Sequence, residues 1–354
     1  MGQTKIEWTS YQKPDGTIVP GYTFNPVIGC SKKSPGCKHC YAEHDTPARV
    51  SRARKIELWG PDGQRQIASV PYWKQPKAWN LAAQLNNERR LVFTASQSDW
   101  LEDRPEWEAP RAQLLKTILE TPNLIWLLLS KEPWNLDRLV RQAAAQLASD
   151  GHHEQSDILY YWLDGWWLLR NVRLGVSVEN QEWADKRRDA FAKLPGSKFV
   201  SYEPALGPVD WSGWEFVDQI ISGGESGKDD DIRPSHPDWH RATRDWCARN
   251  GKAFFFKQWG KYGAGSVRVS TGEPVFRFFE SKQQWINKGN TWVNGGVCLD
   301  MNGKLLKRGA DFDNAAYPVV ITHKIGKEKS GNHLYGRQHL EIPGINFFPT
   351  QEAA

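Results

Sequence analysis

YTFNPVIGCSKKSPGCKHCY, Tyr22–Tyr41, decides how the chain is read: an apolar run of strand length leads into three cysteines within eleven residues. Cys30, Cys37 and Cys40 are one thiolate short of a closed metal site. Structural zinc usually takes four protein ligands, and the common iron–sulfur clusters take four cysteines. One loop can deliver all three sulfurs and leave a coordination position for a water, a substrate or a cofactor. An open position points to chemistry rather than scaffolding.

Working outward, short apolar runs recur at Tyr22–Ile28, Leu91–Ala95, Leu124–Leu129, Val172–Val178, Lys198–Tyr202, Gln219–Ser222 and Ala253–Lys257. Helical patterns lie between them, among them Pro110–Glu120, Trp183–Leu194 and Pro237–Arg249. Strands alternating with helices predict βαβ units and a mostly parallel sheet. Six to seven such units suit an α/β fold, a partial or complete (β/α) barrel spanning residues 1–259. Asn135–Leu169 is long for one connection and reads as an elaboration, with SDGHHEQSD at its centre as an exposed loop. Past Gly260 the texture changes to short β-like pieces with glycine turns. Residues 260–354 are therefore expected to form a C-terminal α+β extension with β-hairpins and a basic tail.

The 354 residues can bury a substantial core. A net charge of +5 permits nucleic acid or an acidic electron donor as a partner without requiring either. The N-terminus carries no apolar signal region, and the longest apolar run is too short to span a bilayer. Clustered cysteines with no mark of export predict a reducing cytoplasm and metal binding rather than a disulfide framework. The isolated Cys247 and Cys298 read as small core residues. Nineteen tryptophans are unusual; most are expected in the core, and some could stack on a base.

Parallel α/β folds build sites at the C-terminal ends of their strands. Here those ends carry Ser96, Ser98 and Asp99, then Lys131, then Ser177, Glu179 and Asn180, then Glu203, then GGESG with Glu225, then Lys257. Singly, each reads as a helix cap or a turn. Together, Glu179, Glu203, Glu225, Lys131 and Lys257 on one rim would be costly without a ligand. For the cysteines three readings stay open: zinc with His39 or His44 as fourth ligand, a three-thiolate [4Fe–4S] cluster with an open iron, or no metal.

A cysteine triad after the first strand of a (β/α) barrel resembles the radical S-adenosylmethionine superfamily. The spacing here is C-x6-C-x2-C, against the commoner C-x3-C-x2-C of that superfamily. TKIEWT (Thr4–Thr9), FNPVIGC…SPGCKHCYAE (Phe24–Glu43), LGVSVEN (Leu174–Asn180), SYEPALGPVD (Ser201–Asp210), IISGGESG (Ile220–Gly227) and FFFKQWG (Phe254–Gly260) are similar to a phage-encoded three-Cys-motif family of unassigned reaction. The resemblance implies a radical S-adenosylmethionine barrel with Cys30, Cys37 and Cys40 on a [4Fe–4S] cluster. The open iron would chelate S-adenosylmethionine, whose reductive cleavage yields a radical that abstracts a substrate hydrogen. Under it, Tyr41 would lie near the adenine, Ser96, Ser98 and Asp99 near the methionine end, and Ser177, Glu179 and Asn180 near the ribose. Glu203, Glu225, Lys131 and Lys257 would face the substrate.

The basic residues Lys32, Lys33 and Lys38, with Arg49, Arg52, Arg54 and Lys55 beyond them, suit an acidic flavodoxin- or ferredoxin-like donor or phosphate. A phage setting, in the host cytoplasm, suggests DNA modification or repair on a nucleobase such as thymine, flipped from the helix. The alternative from another class is a zinc-stabilised nucleic-acid-binding protein without redox chemistry.

Overall fold

In the computed structural model, which describes residues 3–4, 6–44, 46–227 and 229–344, seven strands form one parallel sheet. They are β1 (Tyr22–Phe24), β2 (Arg90–Thr94), β3 (Leu124–Ser130), β4 (Val172–Ser177), β5 (Ser197–Tyr202), β6 (Gln219–Gly223) and β7 (Ala253–Gln258). Their spatial order follows their sequence order, each strand parallel to the next. The sheet curls into a half-barrel, the coarse form of the expected (β/α) barrel. A parallel strand covered on both faces reads as a continuous apolar run, and LIWLLLS of β3 is almost wholly buried.

Helices α1 (Gln75–Leu85), α2 (Glu108–Leu119), α3 (Leu136–Ser149), α4 (His153–Leu163), α5 (Gln181–Ala192) and α6 (Pro237–Arg249) accompany the strands. Leu114, Ile118, Leu139 and Val140 on the helices share an outer core with Trp126, Leu128, Leu174 and Val176 on the strands. The inner face is a separate core of Leu91, Phe93, Ile125, Leu127, Phe199, Ile221 and Phe255, closed by Trp8. Gly175 makes room there: a Cβ would meet the Phe199 ring at 2.2 Å.

The two open edges of the sheet are covered by segments far apart in sequence. Gln3 bridges antiparallel to Tyr22, and the Thr4 N–H donates to the Gly21 carbonyl at 3.0 Å, along the free edge of β1. Leu340 bridges antiparallel to Phe255, and the Phe256 N–H donates to the His339 carbonyl at 2.8 Å, along the free edge of β7. Asn332 Nδ2 donates to Glu7 Oε2 at 3.3 Å, tying the two covers together. An exposed parallel edge invites pairing with another chain, and these segments remove it.

Two expectations are corrected. The run Tyr22–Ile28 is not one strand: β1 stops at Phe24, and Val27–Ile28 pairs antiparallel with Gln66–Ile67. Pro26 lies between them and cannot donate to a ladder. SDGHHEQSD is not all loop: α4 begins at His153 and runs through its second half. Ser156, Leu159 and Trp162, spaced three apart, give that half a buried helical face. α3 and α4 thus make the expected elaboration a helical hairpin.

Beyond the barrel come β8 (Tyr262–Gly263), β9 (Arg277–Phe279), α7 (Lys282–Trp292), β10 (Val297–Leu299), β11 (Leu305–Leu306) and β12 (Val319–Lys324). The strands form an antiparallel sheet around β12, with its own core of Phe279, Cys298, Leu306, Phe312, Val319 and Ile321. It docks on α6, where Trp239 Nε1 donates to the Met301 carbonyl at 2.8 Å. Residues 327–343 then return to the barrel, so the extension contributes to the barrel's own mouth and edge. Residues 345–354 of the expected extension lie outside those described. No helix among the described residues is long and apolar enough to cross a membrane.

Candidate active site at the barrel mouth

The cysteine loop is pinned from below before it can present any sulfur. Arg65, buried, makes a two-pronged pair with Glu102, Nε and Nη2 each 2.7 Å from a carboxylate oxygen. Its Nη2 also donates to Ser31 Oγ at 2.8 Å, fixing the residue after Cys30. At the far end of the loop, Ser34 Oγ donates to Glu179, and Arg233 Nη2 donates to the Pro35 carbonyl at 2.9 Å. Between them Gly36 has no room for a side chain: a Cβ would lie 2.8 Å from Glu179 Cγ and 3.0 Å from Pro204 Cδ.

Loop, strand ends and terminal covers enclose a cavity of about 710 Å³. Cys30, Cys37 and Cys40 line it, together with Tyr41, Ser96, Ser98, Asp99, Lys131, Ser177, Glu203, Glu225 and Lys257 from the expected set. Seven strands and one loop therefore bring twelve of the fourteen expected residues to one space. Glu179 and Asn180 are not on its wall. Asn180 caps α5, its Oδ1 accepting from the Trp183 N–H at 3.2 Å. Its side chain serves as the helix cap that the sequence also allowed.

Glu179 is fully buried behind the wall, where its carboxylate accepts from Lys131 Nζ at 2.7 Å and Arg187 Nη1 at 2.8 Å. Burial pushes its carboxyl up, but the Lys131 and Arg187 charges outweigh that and hold it at a pKa of about 2. It acts as an anionic pin between the cysteine loop and β4. Glu225 is also spoken for: Arg233 donates to both its oxygens, from its backbone N–H at 2.8 Å and from Nε at 3.0 Å among others. A carboxylate held in that way anchors its loop from the cavity wall. Asp99 links β2 to β3, accepting from Ser130 Oγ at 2.6 Å and the Lys131 N–H at 2.8 Å. Burial raises its pKa. The hydroxyls of Ser96 and Ser98 donate away from the space, to Asn25 Oδ1 and the Val27 carbonyl.

Glu203 and Lys257 remain as a pair on the wall, Lys257 Nζ 3.1 Å and 3.3 Å from the two carboxylate oxygens. Gly223 leaves room beside them: a Cβ there would stand 2.6 Å from Glu203 Oε1 and push that carboxylate aside.

Two of the thiols, those of Cys30 and Cys40, are pushed toward their protonated forms. Burial, with Asp99 and Glu102 nearby, pushes Cys30 well above the ordinary thiol range. Burial also raises Cys40, partly offset by the Ala42 N–H. A cation at the loop would have to displace those protons, and its charge would reverse the balance. Among the described residues no group of three or more His, Cys, Asp and Glu side chains is drawn together tightly enough to hold an ion. The donor set nevertheless fits a thiophilic group: three soft ligands on one wall, beside open space and the Lys131 ammonium.

Both candidate histidines face aspartates, His39 from the wall of the same cavity. His39 lies with Nδ1 2.9 Å from Asp229 and Nε2 3.4 Å from Asp231, and His44 is exposed with Nε2 3.8 Å from Asp229. Lys32, Lys33 and Lys38 of the loop are each ion-paired, with Glu43, Glu132 and Asp231. The loop's basic face is thereby largely neutralised. Sequence reasoning missed Arg65, Glu102, Arg187 and Arg233, which lie in helices or unremarkable loops and carry no local signal.

Fold and site together define a partial (β/α) barrel whose mouth holds a cysteine-lined cavity. The chain belongs to the family described as protein of unknown function DUF5131, whose profile matches residues 3–343. No curated protein and no solved structure matches it.

Proposed function

We propose that the chain is a radical S-adenosylmethionine enzyme acting on a nucleobase or nucleotide, with Cys30, Cys37 and Cys40 as ligands of a [4Fe–4S] cluster. The observation carrying this reading is that one loop sets three thiols on the wall of a single half-open cavity at the strand C-termini. Such a cluster, when bound, supplies an electron to the sulfonium of S-adenosylmethionine, and the resulting carbon radical removes a substrate hydrogen.

The chain's own residues bind, orient and exclude water. Glu179 and Glu225, each neutralised by arginine or lysine, hold the loop apex still. Lys131 keeps a positive charge near Cys37: burial lowers its pKa, but the negative charge around it, that of Glu179 foremost, leaves it raised. Ser177 and Tyr41 offer hydroxyls to a bound cofactor, while Glu203 and Lys257 stand for the substrate. The terminal covers seal the side of the barrel, which protects a reactive intermediate from solvent. Exposed Arg49, Arg52, Arg54 and Lys55 around the helix Thr46–Arg54 offer a basic face for an acidic flavodoxin- or ferredoxin-like donor.

Zinc is less favoured because His39, although on the same cavity wall, has its Nδ1 engaged by Asp229, and the exposed His44 also faces Asp229. Anaerobic purification tests the reading. Expected are absorbance near 400 nm, about four irons per chain, and 5′-deoxyadenosine release with reductant that rises when DNA or a nucleoside is added. A colourless protein with one zinc per chain would overturn it.

A further inference from the structure

We infer that the Glu203–Lys257 pair is a reader for the lactam edge of an uncharged nucleobase, and that the cavity takes the base or nucleoside and leaves phosphate outside. The inference rests on the nucleobase reading above and narrows it to one recognition mode.

Three observations carry it. First, the pair offers an acceptor and a donor side by side, 3.1 Å apart, on a cavity wall where neither has another ion-pair partner among the described residues. An imide N–H beside a carbonyl matches that order: the N–H donates to Glu203, and Lys257 donates to the carbonyl oxygen. Charge assistance on both bonds makes them stronger than neutral ones.

Second, the cavity is poorly built for phosphate. Among the described residues no arginine lines it. Of its four lysines, Lys33, Lys131, Lys257 and Lys327, the first three are held by Glu132, Glu179 and Glu203. Phosphate sites normally present arginine forks or unpaired cations. Here an anion would have to break an existing pair everywhere but at Lys327.

Third, flat rings form part of the wall. Trp8, Phe93, Tyr41 and Trp59 line the cavity, and Trp8 is held rigid by edge-on packing to Phe93 with centroids 4.6 Å apart. Base–aromatic stacking is insensitive to sequence, so the polar pair supplies the discrimination.

The test is calorimetric titration of the full chain, without added cofactor, with thymidine, 3-methylthymidine and thymidine 5′-monophosphate. Expected is saturable thymidine binding, about tenfold or more weaker binding of 3-methylthymidine, whose methyl replaces the N–H, and no gain from the phosphate. The double variant Glu203→Met/Lys257→Met removes both partners without stranding a charge and is expected to lose the discrimination between thymidine and its methyl derivative. No thymidine binding, equal binding of the methyl derivative, or monophosphate binding more than about tenfold tighter would each overturn the inference. Because no cluster is needed for this titration, its failure is separable from failure of the iron analysis.

Discussion

Replacing Glu179 by Gln keeps the shape of the side chain and deletes its charge, leaving Lys131 and Arg187 facing a neutral group. The folded protein holds this carboxyl at about 2, against an ordinary value of 4.5. That gap corresponds to about 3 kcal/mol of preference for the ionised form in the native state. Full burial of the side chain means solvent does not screen it. The sign follows from the depressed native pKa: the stabilisation is complete above the unfolded value and is lost as pH falls toward the folded one. It should amount to about 3 kcal/mol at pH 7, roughly 1.4 kcal/mol at pH 3 and close to nothing below pH 2. Urea unfolding of wild type and Glu179→Gln, followed by tryptophan fluorescence at pH 7, 5 and 3, measures the difference. A deficit below about 1 kcal/mol at pH 7, or one that does not shrink between pH 5 and pH 3, would refute the account of Glu179 as a buried anionic pin.

Further outcomes follow from neighbouring features. Gly36→Ala forces a methyl against Glu179 and Pro204 and should cost about 1–3 kcal/mol, with a matching fall in iron retained after anaerobic reconstitution. Trp8→Ala empties the inner core and should destabilise by about 3–5 kcal/mol in the same unfolding assay. Trp166→Ala, at a ring 82% exposed, should stay within about 0.5 kcal/mol of wild type. Burial pushes the Cys247 thiol to about 12 and the Cys298 thiol to about 11, so both should resist an aromatic disulfide reagent at pH 8 until the chain is denatured. Fast labelling of either in the native protein would contradict their placement.

The barrel was legible because a strand covered on both faces writes itself as a run. Leu124–Ser130 and Ala253–Gln258 need no partner to be recognised. The mouth was legible for a related reason: where the apolar run ends, polar residues begin, and parallel strands all end on the same side. What stayed hidden was which of those polar residues are free to act. Glu225 and Glu203 look alike in sequence, yet Arg233, eight residues after Glu225, occupies one and not the other. Ser34 and Glu179 lie 145 residues apart, a separation no local pattern spans. The seal over the sheet edges was hidden for the same reason, since His339–Glu341 has ordinary strand chemistry and reveals nothing of its neighbour until the chain is folded.

That seal bears on biosynthesis. A nascent chain stopped near residue 330 would contain all seven parallel strands and the cysteine loop, but the outer edge of β7 would still lack its cover. The cavity would also lack the part of its wall that Gly331, Asn332 and Gln338 supply until that segment left the ribosome and docked. Late closure of this kind leaves the mouth accessible longest, and it leaves chains truncated ahead of Leu340 with an adhesive flank for quality control to find.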